Sequence, residues 1–445
     1  MYILTAFSTH SAHIISARWI IPVEPRGVVL EHHSIVMTNG RIAAILPTGD
    51  ARDHYPDALE TSLGHHVLVP GLINLHTHAA MTLMRGLADD TPLMTWLQDH
   101  IWPAETKHLS EQYVFDGTEL ATAEMIRSGT TCFADMYFYH DVAARAALKS
   151  GMRAALGGAI LEFPTPYAAD AEAYLAKGIA TREEFLAEPR LKLMLAPHAP
   201  YSVSDKTFQR IITIASEMDV QIMMHIHETA TEITDSEKQY SMRPIERLNR
   251  LGLLSPSLIA VHCVHLNQVE IELFARTGVH VAHCPVSNLK LASGIAPIKA
   301  MLDAGINVGV GTDGTASNNR LDMLAETRLA SLLQKGASGD AATLPAHVAL
   351  EMATLNAAKA LGWDDEIGSL VPGKAADMIA IDLSSIETQP CYDPASHLFH
   401  AAGREHVTHS WVAGELLLDN RVLTHIDISE LKTKASLWQE RFRKF

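Results

Sequence analysis

Val67-Leu68-Val69-Pro70-Gly71-Leu72-Ile73-Asn74-Leu75-His76-Thr77-His78 is the stretch on which the fold of this 445-residue chain turns. The run before His76 is apolar on both faces, as in a strand buried within a parallel sheet. On an extended strand, residues two apart point to one side, so His76 and His78 can reach a single ion. Two imidazoles at the end of a buried strand place a metal in the mouth of an α/β barrel, provided that later strands supply more ligands.

Working outward, candidate strands end near His76, Asp135, Leu161, His198, His225, His262, His283 and Asp313, with helices between them, for example over 111–128 and 205–219. Eight strands alternating with helices is the count of a closed (β/α)8 barrel. Before this region, short strands are expected over 17–22, 34–38 and 41–45, the last two joined by the hairpin signal Asn39-Gly40. After it, helices over 321–335 and 345–361 precede further strands over 378–382, 406–412 and 415–418. The economical division is a small β-sandwich domain built from both termini, 1–66 and 369–445 with a terminal helix, flanking a catalytic barrel over 67–368.

Composition bounds the function. The chain is 47% hydrophobic and 19% charged, normal for a globular protein with a large core. Its net charge of -16 argues against nucleic acid, since no basic stripe is available to meet phosphates. Cys132, Cys263, Cys284 and Cys391 show no paired spacing, so no disulfide framework is expected. The segment Met1–Phe7 lacks a secretory pattern, and no stretch reads as a membrane span. A cytoplasmic protein with a small-molecule substrate is the default expectation, and a homo-oligomer is compatible with it.

The strand ends carry the chemistry. Pro197-His198, Met224-His225, Val261-His262 and Thr312-Asp313 each end an apolar run in a polar or ionisable group. At the carboxy-terminal face of a barrel these side chains converge. Any one of them alone reads better as a hydrogen-bonded core histidine; the whole set at one end does not. His76, His78, His225 and Asp313 supply four N/O ligands and leave room for water. No lysine ends the fourth strand to bridge a second ion, so one metal is expected: Zn2+, with Fe2+, Mn2+ or Co2+ also compatible. Glu228, three residues past His225, is placed to move a proton to a ring nitrogen of a substrate. His227 is a rival ligand to His225, ranked lower because Glu228 stands at the right remove from His225. His262 is expected against the metal's water, with Asp313 accepting a proton.

These segments resemble the amidohydrolase superfamily, in the branch of triazine hydrolases and adenosine-type aminohydrolases, and most closely its 5'-methylthioadenosine/S-adenosylhomocysteine deaminases. The match runs through Pro70–His78, Trp102-Pro103-Ala104-Glu105, Pro197–Tyr201, His225-Ile226-His227-Glu228, Ala260–Leu266, Ser287–Leu291, Gly311–Asn319 and Gly368–Met378, and spans about residues 15 to 430. The resemblance implies hydrolytic deamination at C6 of adenine by metal-activated water. Asp313 and His262 would help remove the water's proton, and Glu228 would protonate N1. It also implies that Glu105 holds the ribose hydroxyls and that His198 contacts the purine. Trp102 and Met81 are candidates for an apolar wall around a methylthio group, with core packing an equal reading.

One departure bears on the substrate. Gly158 stands where members that accept S-adenosylhomocysteine are expected to carry a carboxylate-binding arginine, and none follows until Arg182. 5'-Methylthioadenosine and adenosine therefore rank above S-adenosylhomocysteine. The competing enzyme reading is a deaminase or dechlorinase of guanine, cytosine or an aminotriazine, for which Glu105 would have no diol to hold. The competing non-enzyme reading is a scaffold barrel, which would hold no metal.

Overall fold

The computed structural model describes residues 12–91 and 93–443; the segment read for a secretory pattern lies outside them. Eight parallel strands follow one another around a barrel: β1 (Leu72–Thr77), β2 (Thr130–Tyr137), β3 (Arg153–Ile160), β4 (Leu191–Pro197), β5 (Ile222–Ile226), β6 (Leu258–His262), β7 (His280–His283) and β8 (Val308–Val310). Most are buried along their whole length, because helices cover their outer faces. The helices Glu111–Arg127 and Asp205–Met218 begin where Ser110 and Ser204 accept the amides of Tyr113 and Thr207.

The seam between β8 and β1 is closed by a side chain and a loop. Asn74 donates to Thr312 Oγ1 at 2.7 Å and accepts from the Thr312 amide at 2.9 Å, while the Asp313 amide reaches the His76 carbonyl at 2.9 Å. Gly311 permits this approach: a Cβ there would stand 2.6 Å from the His76 nitrogen.

The termini together build a second, nine-stranded mixed sheet. Leu59–Pro70 lies parallel to His13–Ile20 and antiparallel to Met378–Asp382, which joins the two ends of the chain. Asn39 and Gly40 both take positive φ, as a tight hairpin requires. The sheet curls so that this hairpin meets 373–376 through backbone hydrogen bonds, around a core of Ile15, Ile20, Ile35, Leu68, Met378 and Trp411. Burying each of these aliphatic side chains is worth about 1.5–3 kcal/mol.

Two sequence expectations are corrected. The apolar run 67–75 is two strands: residues 67–70 pair in the mixed sheet, Gly71 turns, and Leu72 opens the barrel. A division after residue 66 therefore falls inside a strand, because both segments are buried on both faces and read alike. The helix expected over 345–361 is broken into Ala346–Met352 and Leu355–Ala360, since the Ala353 carbonyl turns to accept the amide of Ile73 in β1.

Asp377 ties the two sheets together. Its carbonyl accepts the Gly71 amide at 3.0 Å, and its carboxylate takes Arg153 Nε of β3 at 2.7 Å and the Ala413 amide at 2.7 Å. Arg153 and Asp377 are both buried.

Candidate active site

The carboxy-terminal ends of the barrel strands surround a cavity of about 790 Å³. His78, Met81, Trp102, Glu105, His198, His225, Glu228, His262 and Asp313 line it, and fully buried His76 packs its ring against those of His78 and His225. His227 does not line it. That residue takes a left-handed backbone just past β5, which turns its ring away to lie 3.7 Å from Glu270, so the rival ligand is excluded by geometry. His262 and Asp313 are also left-handed, a costly conformation for side-chain-bearing residues that recurs where strand ends must aim a group inward.

His76, His78 and His225 bring one ring nitrogen each to within 4.8 Å of one another. His78 Nδ1 lies 2.5 Å from the Met136 carbonyl and His225 Nδ1 lies 2.9 Å from the His198 carbonyl. A carbonyl only accepts, so both Nδ1 atoms carry a proton, which leaves each Nε2 as the atom that can bind a metal ion once the ring is neutral. His76 Nδ1 is turned to the Met223 sulfur, and its Nε2 faces the His225 Nε2 at 3.2 Å. Asp313 Oδ1 lies 3.2 Å from His78 Nε2 and 3.5 Å from His76 Nε2. Three ring nitrogens and a carboxylate oxygen converging on one point make a donor set that fits a divalent metal ion.

Burial works against a charge on His78, but Asp313 outweighs it and raises that ring to about 9, so His78 must give up a proton when a metal binds. Burial opposes ionisation of Asp313, but the His76 and His78 rings outweigh it and hold the carboxyl well below the usual range. Burial and the neighbouring imidazoles push His225 far down, so it stays neutral, as a ligand must. Asp313 is held by Ser287 Oγ at 2.6 Å, Ser317 Oγ at 2.9 Å and the Gly314 amide at 2.7 Å.

Around this centre, Glu228 Oε2 lies 3.7 Å from His262 Nε2, whose Nδ1 is 2.8 Å from Asn288 Oδ1. Burial and, second among the raising effects, the charge of Asp313 push Glu228 upward, so that it holds its proton more tightly than an ordinary glutamate. The Glu232 carboxylate accepts the amides of His227 and Glu228, each at 3.0 Å, fixing the turn that carries Glu228. His198 is lowered to about 4 by burial and by His78 and His76, so it meets a ligand as a neutral ring. Its Nδ1 is 2.9 Å from Ser202 Oγ. Glu105, on the short helix Trp102–His108, is pushed up to about 7 by burial, against the opposing hydrogen bond from Tyr137.

The cavity is apolar toward its rim, where Trp102 and Phe163 pack edge to face at 6.2 Å. No lysine or arginine is among the described residues lining it. At Gly158 a Cβ would stand 2.6 Å from the ring of buried His140, so a side chain there would require that ring to move.

Sequence reasoning brought the metal-type ligands and the rim together and missed their supports. Ser287 and Asn288 lay within a quoted motif without a role, as did Ser317. The Thr229-x-x-Glu232 capping pattern was a usable signal for Glu232. Tyr137 carried none.

Comparison with known proteins follows the same lines. Residues 67–417 match the Amidohydrolase family. A protein of Saccharophagus degradans named 5-methylthioadenosine/S-adenosylhomocysteine deaminase is 46% identical over 430 residues, covering 97% of this chain and 96% of its own. One of the same name from Teredinibacter turnerae is also 46% identical over 430 residues, covering 96% and 97%. A solved structure described as an adenosine deaminase from Xanthomonas campestris with bound zinc superposes with a TM-score of 0.97 at 46% identity, over 98% of this chain and 99% of that one. Atrazine chlorohydrolase from Arthrobacter aurescens TC1, complexed with zinc, gives 0.89 at 24% identity over 96% and 99%, which bears on the fold alone.

Proposed function

Because the chain belongs to the amidohydrolase family, we infer that it is a hydrolytic deaminase that replaces the 6-amino group of an adenine nucleoside with oxygen and releases ammonia. The observation that carries this reading is the meeting of the His76, His78 and His225 donors with Glu228 and Glu105 around one cavity. His76, His78, His225 and Asp313 would hold a single divalent ion, with Zn2+ suited to N/O donors. Such an ion supplies a water acidic enough to act as a nucleophile near neutral pH.

The remaining work belongs to the protein. Glu228, whose proton burial makes harder to lose, gives that proton to N1 and makes C6 electrophilic; one proton of the water passes to the amino group, which leaves as ammonia, and the other, from the C6 hydroxyl, restores Glu228. His262 and Asp313 lie within reach of the same space and take up the proton of the attacking water. His198 meets the purine as a neutral ring. Glu105 accepts from the ribose hydroxyls, and Trp102 with Met81 forms the apolar wall.

For the 5' substituent, we rank methylthio and hydroxyl above homocysteinyl. A cavity lining without arginine or lysine, and with Glu162 at its mouth, gives an amino-acid carboxylate no cationic partner. Parallel incubation with 5'-methylthioadenosine, adenosine and S-adenosylhomocysteine, following ammonia and adenine absorbance, tests the reading. Silence on all three with metal bound would turn it toward guanine, cytosine and aminotriazines.

Glu105 gives a prediction with a sign. Its carboxyl titrates near 7, and only the ionised form offers both oxygens to a diol. KM for adenosine should therefore rise as pH falls below about 7, while KM for 2',3'-dideoxyadenosine stays flat. Glu105→Ala should raise KM for adenosine by about tenfold or more, the scale of hydrogen bonds to a charged group. Equal effects on both substrates would remove the ribose assignment.

A further inference from the structure

Resting on the reading of Glu105 as the ribose anchor, we propose that Tyr137 is the positioning residue that sets that anchor, so that selectivity for nucleosides belongs to a tyrosine–carboxylate pair. The Tyr137 hydroxyl donates to Glu105 Oε1 at 2.6 Å, a short charge-assisted contact. The two residues come from different parts of the fold: Tyr137 ends β2, and Glu105 sits on a helix over the barrel mouth. The hydrogen bond thus links that helix to the frame that carries the metal-type ligands. Tyr137 belongs to that frame, since the carbonyl of its neighbour Met136 orients His78 and its ring lies 6.4 Å from the His78 ring.

Two further features fit positioning. A carboxylate that accepts one strong donor on Oε1 has its rotation fixed, and its remaining lone pairs point in defined directions toward a diol. Tyr137 is itself held from behind. Its ring lies 6.4 Å from that of Tyr113, which packs against Trp438 at 5.4 Å and Phe442 at 6.2 Å on the terminal helix Ile428–Arg443. Trp438 Nε1 donates to Asp116 Oδ2 at 3.0 Å, anchoring that helix. The distance from the ribose anchor to the reacting carbon is therefore built through Tyr137 into the barrel.

Tyr137→Phe and Glu105→Gln, singly and together in the metal-loaded enzyme, test this on adenosine and 2',3'-dideoxyadenosine. Tyr137→Phe is expected to raise KM for adenosine about tenfold or more with kcat little changed, and to leave dideoxyadenosine as in the wild type. The double variant should cost no more on adenosine than Glu105→Gln alone, because the tyrosine acts only through the carboxylate. Equal losses on both substrates, or additive losses in the double variant, overturn the proposal while leaving Glu105 as the anchor. If Glu105→Gln itself shows no dependence on the diol, the anchor reading fails and takes this one with it. Metal content and Tm equal to the wild type show that the comparison is between folded enzymes.

Discussion

Glu228→Gln is expected to keep its bound metal and to lose about 10²–10⁴-fold in kcat, the range assigned to a positioned acid–base group. The substitution preserves shape and hydrogen-bonding reach but cannot pass a proton. The turn that carries residue 228 is fixed through its backbone by Glu232, so the exchange should leave the site's geometry in place. Burial shifts the native glutamate toward its proton-bearing form, the form a glutamine imitates in shape and lacks in chemistry. Turnover by ammonia release, with metal measured by elemental analysis, decides the matter. If metal and activity vanish together, Glu228 supports the site structurally and the shuttle role is wrong.

Removal of the metal should have the second large effect. A chelator is expected to abolish turnover and to lower Tm by several degrees, both restored by one equivalent of Zn2+. The Nε2 atoms of His76 and His225 stand 3.2 Å apart beside the Asp313 carboxylate, three donors that a cation would draw together. Binding to the folded state alone stabilises it by about 4 kcal/mol at a thousand times Kd, which sets the scale of the shift. Full turnover in protein shown to be free of metal would sink the proposed role of the ion. A protein that never holds metal would be the scaffold considered at the outset.

Much of the barrel was legible because buried parallel strands are apolar until their ends, and here the ends are His198, His225, His262 and Asp313 or lie beside them. The same property hid the junction at Gly71, where one doubly buried strand follows another with no change of pattern. The break at Ala353 was hidden too, since its cause is a hydrogen bond to Ile73, far away in sequence. The residues proposed to act through their own side-chain chemistry stand out by type and spacing. Those that act through another residue do not. Tyr137 lies 32 positions from Glu105 and reads as one more aromatic core residue, and Ser287 and Ser317 read as ordinary loop serines.

The Asp377 tie has a consequence for how such a protein can change. Its carbonyl and carboxylate hold Gly71, Arg153 and Ala413, so neither sheet can loosen without exposing a buried ion pair. The two sheets should then melt as one cooperative unit, seen as a single calorimetric transition. Against that chassis, Trp102–His108 and the rim around Glu162 and Phe163 lie over the cavity, outside the contacts of Asp377. Substitutions there can explore new 5' groups at little risk to the fold, whereas changes at the tie put the strand carrying His76 at stake. Conservatism of chemistry and freedom of substrate range thus reside in different parts of the same chain.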